Sequence, residues 1–575
     1  MADVPIVVGV NRTQDGSIAV ARGDSEVYSL QKERVSRRKH HWGRLGDLPD
    51  RYLPRMPILT EPVDLVVEGY SSDTEIANLG AYRDELRATL DLRPDARIVL
   101  VSHHLSHLYS AFPPSPFDRA AGLVVDAQGS RVRDLTEDVD LPPGTGEDML
   151  EVASFYRCEQ GRVECLAKQL WDGDWARPAG LGCFYALLTK MLWPTGEGNE
   201  GKVMGLAPYG DPDALGLPGL EVRGHEVLIP GEWMRAFTRD RDAYRYVPDG
   251  ADRFARCANL AAAGQRAFEE ALARLAEWLH DRTGLPDLVF AGGTALNCTA
   301  NGLLIRESPF REVFIPPSPH DGGTAVGCAL YGLIACLGRE SGFRWTDDFL
   351  GPEPDDAEIE AAVRDLPDDL VAERPPDLAA ATVELLETGR VVGLHQGRSE
   401  SGPRALGNRS IIGDPRSPDM RDYINFEVKG REWFRPLAPL VLADHAERIF
   451  DVDRPAPFMQ YAADVRPPYR EGLPAITHVD GTARLQTVEP EATPFLHALL
   501  TRWHERTGCP VLVNTSLNGP GDPLTETPEH SIETLRKTNL HALVLPPYLI
   551  RKRKEPPVPG EDWEAPAPPV PLSPG

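Results

Sequence analysis

Residues 288–297 read LVFAGGTALN: a short apolar run, Leu288–Phe290, then at once a Gly-Gly turn. An apolar run of this length, bounded by turn residues, reads as a buried strand. Two earlier segments have the same form. Gly122–Val125 runs into Asp126-Ala127-Gln128-Gly129, and Ile6–Val10 is followed by Asp15-Gly16-Ser17. Ser17–Ala21 continues from the first turn as the second arm of a hairpin, and Leu65–Glu68 and Arg97–Val101 add further strands. Between them Phe268, Leu272, Leu275 and Leu279 recur at helical spacing, and that helix stops at Gly284 before the strand at Leu288. Alternating strands and helices predict the α/β class.

Two acidic turns followed by a later Gly-Gly turn resemble the duplicated α/β fold of the actin/hexokinase (ASKHA) type. In that fold the turns embrace phosphates and the last abuts the adenosine. The resemblance places Gly292, Gly293 and Asn297 against a nucleotide; the alternative for the same residues is a tight strand-to-helix turn capped by Asn297. Glu197–Gly210, EGNEGKVMGLAPYG, carries glycines and Lys202 in a pattern that suggests a turn near phosphate, with Gly205 in its glycine set.

Further along, Gly397–Ser410 reads GRSESGPRALGNRS and follows the strand Val391–Leu394. It puts Arg398, Arg404 and Arg409 into a glycine-rich loop. Guanidinium forks give paired, charge-assisted hydrogen bonds to a planar anion, and glycine lets the backbone come close. Lys429, Arg431, Arg435 and Arg484 follow, and Val511–Asn518 (VLVNTSLN) adds Asn514 and Ser516. The whole chain carries 61 basic and 87 acidic residues, a net charge of −26, so this cationic cluster is a local field against the background.

GPRALGNRS, the pattern K-x-R-E-x-F-R-P-x-A-P over Lys429–Pro439, HVDGTARLQTV over His478–Val488, and VLVNTSLN occur in that order. Together they closely resemble the NodU/CmcH family of O-carbamoyltransferases, which includes the antibiotic-biosynthesis enzymes of tobramycin and cephamycin. The resemblance runs from Val7 to about Leu549. It implies an ASKHA-type N-terminal domain like that of the tRNA threonylcarbamoyl transferases, and a YrdC-like α/β domain after it. It also implies a G-K-x-M-G-L-A-P-Y-G element around Lys202, and a carbamoyl phosphate site at Arg404, Lys429, Arg435, Arg484, Asn514 and Ser516. Asp15 and Lys39 fall in segments that line the acceptor side of family enzymes. Family members often have His just before the Asp, where this chain has Gln14.

His103 and His107 stand four apart in SHHLSHLYSAF, which puts both imidazoles on one face of a helix; His104 points off that face. Asp126 ends a strand and Asp321 lies in His320-Asp321-Gly322-Gly323. Two histidines with carboxylates suit iron(II) or manganese with open positions for substrate oxygens. The resemblance implies His103, His107, Asp126 and Asp321 as ligands, and favours Fe2+.

At 575 residues the chain suggests two to four domains. We expect an ASKHA-type metal- and nucleotide-binding domain over 1–345, and a linker over 346–376, where Pro and acidic residues dominate. A YrdC-like domain over 377–550 and a disordered Pro-rich tail over 551–575 complete the expected order. The acidic balance disfavours a nucleic-acid partner, since phosphate backbones demand a basic footprint. The eight cysteines form no C-x-x-C pair and read as buried thiols. No basic leader with a long apolar run and no membrane-length apolar run occurs, which fits a cytoplasmic protein without a membrane partner. Oligomeric state is open, a homodimer being one option.

The resemblance implies ATP, with Mg2+, and carbamoyl phosphate as co-substrates, carbamoyl adenylate as intermediate, and a hydroxyl of a small, secondary-metabolite type of acceptor. Two rival readings are a tRNA threonylcarbamoyladenosine-type transferase and a non-catalytic ASKHA nucleotide-dependent binding protein. The acidic charge and the LGNRS-type core of the second domain speak against the first, and the H-x-x-x-H motif with the arginine-rich second domain speaks against the second.

Overall fold

The computed structural model of the chain describes residues 4–71, 73–159, 162–194, 198–239, 243–247 and 250–565. The chain divides into two compact units at Trp345/Thr346, with a few residues near 250 grouped with the second.

In the first unit, β1 (Ile6–Asn11), β2 (Ser17–Arg22), β3 (Glu26–Gln31), β4 (Val63–Tyr70) and β5 (Leu92–Ser102) form a sheet in the order β3-β2-β1-β4-β5. The first three make an antiparallel meander, and β4 and β5 join in parallel. A second sheet uses β6 (Arg119–Val125), β7 (Leu150–Glu159) and β8 (Arg162–Trp171). After a small hairpin of β9 (Glu221–Arg223) and β10 (Glu226–Leu228), it adds β11 (Asp287–Ala291) and β12 (Glu312–Phe314). Its order, β12-β11-β6-β7-β8, repeats the first: a meander of three, then two parallel strands. This is the actin/hexokinase type of duplication that the paired turns predict. β1 and β6, each at the centre of its sheet, are buried over nearly their whole length, which explains their unbroken apolar runs. The helix marked by Phe268, Leu272, Leu275 and Leu279 extends from Ala251 to Thr283.

The second unit is built on an eight-stranded mixed sheet. Its strands are β13 (Leu370–Glu373), β14 (Val392–His395), β15 (Arg409–Gly413), β16 (Ala438–Leu442), β19 (Gln486–Val488), β20 (Val511–Ser516), β21 (Ala542–Leu545) and β22 (Tyr548–Lys552), with a separate two-residue pair, β17 (Ala463–Asp464) and β18 (Thr482–Ala483). The order is β13-β22-β21-β14-β15-β20-β16-β19. Helices Leu378–Glu387 and Pro494–Thr507 lay Val383, Leu386, Leu496, Leu499 and Trp503 on Leu394, Leu440, Leu512 and Val544. The Trp503 indole N–H donates to Val511 O at 2.9 Å, so the large ring enters the core with its polar atom satisfied.

Two expectations about this unit are corrected. The stretch 346–376 is more than a linker: it holds the helix Asp356–Arg364 and strand β13, which pairs with β22. Its acidic residues do structural work, since Asp355 and Glu358 form a capping box. Nor is the tail disordered from 551. Arg551 and Lys552 end β22, Val558 is buried, and Trp563 stands edge-on to Tyr423 and donates to Glu427 at 3.0 Å. Residues 566–575 lie outside the described residues. Among the described residues no helix is long and apolar enough to cross a membrane.

Candidate active site

The helix His103–Ala111 starts directly after β5 and is buried throughout. Its i, i+4 spacing brings His103 Nε2 and His107 Nε2 to 3.2 Å. Asp126, at the end of β6, and Asp321, in the turn before helix Thr324–Tyr331, close the group. His107 Nε2 lies 3.3 Å from Asp126 Oδ2, and His103 Nε2 lies 3.4 Å from Asp321 Oδ1. One atom from each of the four residues falls within 4.8 Å of the others. Adjacent ligands around an ion with bonds of about 2.1 Å stand about 3 Å apart, so the spacing fits a divalent cation. The nitrogen and oxygen set suits iron(II) or manganese. Burial alone would favour neutral imidazoles, but the carboxylates of Asp321 and Asp126 raise His103 well above its ordinary range. Burial likewise opposes an ionised Asp321, yet the two imidazoles hold it well below the usual carboxylate range.

Neighbouring groups fix the carboxylates. Thr13 Oγ1 donates to Asp321 Oδ2 at 2.7 Å, and the Gly293 N–H donates to Asp126 Oδ2 at 3.0 Å. The first turn of the histidine helix is anchored from below. Ser130 Oγ accepts the His103 N–H, and Glu151 Oε1 accepts the N–H groups of His104 and Ser130. Glu151 is in turn bonded to the buried ammonium of Lys168 at 2.6 Å, which also donates to Glu137 at 2.7 Å and to Ser154. His104 faces this network and not the cluster: its Nδ1 lies 2.7 Å from Ser154 Oγ, and burial pulls its pKa down to about 3. Glu151 and Lys168 lie within 130–180, a stretch whose sequence carries little readable signal.

Asp15 is buried beside the cluster, and Asn11 Nδ2 donates to the carbonyls of both Asp15 and Asp321. The side chain that meets Asp15 is His40, with Nδ1 2.9 Å from Asp15 Oδ1. Lys39, expected on the acceptor side, is exposed in the turn before it. The two loops touch backbone to backbone: a Cβ on Gly16 would fall 2.6 Å from Gly43 N, and one on Gly43 would fall 2.5 Å from Arg12 Cα. Gly16 N–H and Gly43 N–H bond across this contact to His41 O and Thr13 O.

The expected nucleotide residues are otherwise engaged. Asn297 caps helix Cys298–Glu307 by accepting the Ala300 N–H, and its amide exchanges hydrogen bonds with Gln265. This is the capping alternative, and it leaves the side chain a structural role. Gly292 takes φ +96° at the end of β11, and Gly293 supports Asp126. Glu200–Leu206 is a helix and not a phosphate turn; it holds Gly205 buried and sets Lys202 Nζ 5.6 Å over the Trp193 ring. Glu197 lies outside the described residues.

In the second unit the glycine-rich loop is tied from within. Glu400 Oε1 accepts the N–H groups of Leu406, Asn408 and Arg409. Arg409, fully buried, gives its guanidinium to the carbonyls of Gln396, Gly397, Asn408 and Glu526. Arg398 donates to Gly351 O and Leu350 O. Arg398 and Arg409 therefore hold backbone, and Arg404, between them in the loop, is half-buried. Asn514 Nδ2 joins Ala405 O and Gln486 Oε1, which ties the loop to β20 and β19. Lys429 is a clasp here: its ammonium donates to Ser516 O, Ser516 Oγ, Asn518 O and Asn518 Oδ1. Burial depresses Arg435; Glu432 offsets this in part, and repulsion from Arg484 adds to it. Arg431 is depressed further by burial and by Arg435 and Arg484. Three like charges with one carboxylate among them make a field that an anion would relieve. Arg431 adds its charge to this group while its guanidinium is bonded to Asn425 Oδ1 at 2.6 Å and to Pro436 O.

The family models for carbamoyltransferases match both units. "Carbamoyltransferase N-terminus" covers residues 59–220 and 234–330, and "Carbamoyltransferase C-terminus" covers residues 383–552. The nodulation protein NolNO of Sinorhizobium fredii is 32% identical over 592 residues, spanning 96% of this chain and 80% of that protein. NolO of Bradyrhizobium diazoefficiens is 34% identical over 474 residues, 81% of each chain. An uncharacterised Synechocystis protein is 35% identical over 507 residues, 81% of this chain and 78% of its own. With both halves matched and relatives aligned along most of its length, the chain belongs to the carbamoyltransferase family.

Proposed function

We propose that this carbamoyltransferase converts carbamoyl phosphate and ATP to carbamoyl adenylate, and passes the carbamoyl group to a hydroxyl of a small molecule. The observation that carries the reading is the presence of two chemically different sites, one in each unit. The arginine group of the second unit suits a phosphorylated anion; the buried His/Asp cluster of the first suits a divalent cation.

In the second unit Arg404, Arg435 and Arg484 bind carbamoyl phosphate, with Asn514 beside them. Lys429 and Ser516 keep the end of β20 in shape. Carbamoyl phosphate is hydrolysed to carbamate and phosphate. A carbamate oxygen then attacks the α-phosphorus of ATP, and pyrophosphate leaves. In the first unit the carbamoyl carbon of the adenylate is attacked by the acceptor hydroxyl and AMP departs. A divalent cation held by His103, His107, Asp126 and Asp321 would supply polarisation of the carbamoyl oxygen when bound. Thr13 and the Gly293 N–H orient the two carboxylates, and Glu151 holds the helix that carries the histidines.

The expected outcome is that AMP and pyrophosphate form from ATP only when carbamoyl phosphate is present, and that Arg404→Ala forms little of either at the same carbamoyl phosphate concentration while keeping its fold. Losing a charge-assisted fork to a dianion costs about 1.5–3 kcal/mol, roughly 10- to 150-fold in affinity. Isothermal titration of carbamoyl phosphate into both proteins checks it. Equal affinity in Arg404→Ala, or ATP turnover indifferent to carbamoyl phosphate, contradicts the reading.

A further inference from the structure

Asp15 and His40 are separated by 25 positions yet share a 2.9 Å bond. Several features make this pair a built site. His40 takes φ +51°, a left-handed conformation uncommon for a side chain other than glycine, and its N–H is held by Glu33 Oε2 at 3.1 Å. Arg37, three residues earlier, is also left-handed, at φ +57°. The strained turn thus serves to aim the ring at Asp15. With Nδ1 toward the carboxylate, the other nitrogen, Nε2, is turned away from Asp15. It lies beside Gly198, where a Cβ would fall 2.1 Å away, and the side chain keeps 28% of its surface exposed. Asp15 is 10% exposed and stands next to the cluster through Asn11 and through His320, whose Nε2 is 3.9 Å from Asp15 Oδ2. Gln14, the side chain next to Asp15, has no basic atom that could take a proton.

We infer that His40 Nε2 removes the proton of the acceptor hydroxyl during carbamoyl transfer, with Asp15 as the positioning residue that holds the ring by its Nδ1–H. This inference rests on the transfer reading above. The hydroxyl oxygen forms a bond to the carbamoyl carbon, the carbon–oxygen bond to AMP breaks, AMP leaves with that electron pair, and the hydroxyl proton ends on Nε2. The arrangement is the one by which a carboxylate fixes the tautomer of a general-base imidazole.

The groups facing His40 are Asp15 from the turn after β1, Glu33 from helix Lys32–Ser36, and Glu200 from helix Glu200–Leu206, with His320 on the far side of Asp15. Burial lowers the His40 pKa, but the bond to Asp15 and the charges of Asp15, Glu33 and Glu200 push it up to about 9. A base acts in its free form, so transfer should quicken as pH rises toward that value.

The test uses full-length protein with ATP, carbamoyl phosphate and a divalent cation, glycerol and water being the hydroxyl acceptors. AMP release reads transfer, and exchange of labelled pyrophosphate into ATP reads activation. His40→Asn keeps an N–H donor for Asp15 and removes Nε2. It should leave exchange and Mn2+ affinity unchanged, which reports an intact fold, and slow AMP release about 100-fold or more. Added imidazole should restore part of the rate to His40→Ala, and Asp15→Asn should move the rising limb of the pH profile to lower pH. Wild-type AMP release from His40→Asn overturns the assignment of His40. Absence of carbamoyl phosphate-dependent exchange in the wild type overturns the transfer reading itself and this inference with it.

Discussion

Lys168→Met should destabilise the first unit by about 3–5 kcal/mol, because it leaves a buried carboxylate without its partner. The ammonium is wholly enclosed and bonds both Glu151 and Glu137. Burial works against an ionised Glu151, yet His104 and Lys168 outweigh it and bring the carboxyl down to about 2. A group depressed in this way contributes stability above its unfolded value of about 4.3. That contribution fades as pH falls toward 2 in the wild type. Without Lys168 the depression is smaller, so acid unfolding should begin at higher pH. Chemical denaturation at neutral pH and an acid titration followed by circular dichroism check both parts. A neutral-pH midpoint equal to the wild type would mean that the network is not what holds the histidine helix.

His107→Ala should lose divalent-cation affinity by about 100-fold or more, since even groups that only support a ligand are worth 10- to 100-fold. The two Nε2 atoms stand 3.2 Å apart, and the two carboxylate oxygens close around them. Removing one imidazole also leaves Asp126 and Asp321 to repel each other with less compensation. Mn2+ calorimetry and elemental analysis of purified protein give the measurement. Full metal occupancy in His107→Ala would show that the four residues are held together for another reason.

The histidine pair was legible in sequence because its signal is local, i, i+4 on one helix, whereas the joining of Asp126 and Asp321 to it was implied by the family resemblance. The duplicated fold was legible for a similar reason, as its central strands are short apolar runs followed by acidic or glycine turns. What escaped reading depends on contacts between distant segments. His40 reaches Asp15 only because two loops meet at Gly16 and Gly43 and because its own backbone is left-handed. The spacing of RRKHH does not distinguish His40 from Lys39. Charge in a glycine-rich loop is ambiguous in the same way. Arg398 and Arg409 bind carbonyls, which only the folded loop, pinned by Glu400, reveals. Acidic and proline-rich composition likewise hid the capped helix and the edge strand within 346–376.

The central claim is that activation and transfer are separate steps with separate residues. Exchange of labelled pyrophosphate into ATP, run with carbamoyl phosphate, measures the first step alone. Asp321→Ala damages the cluster of the first unit, and Arg484→Ala removes a member of the arginine group of the second. The account predicts that Asp321→Ala exchanges at the wild-type rate while releasing little AMP, and that Arg484→Ala does not exchange. Equal loss of exchange in both variants would contradict it, because activation would then need the His/Asp cluster as well.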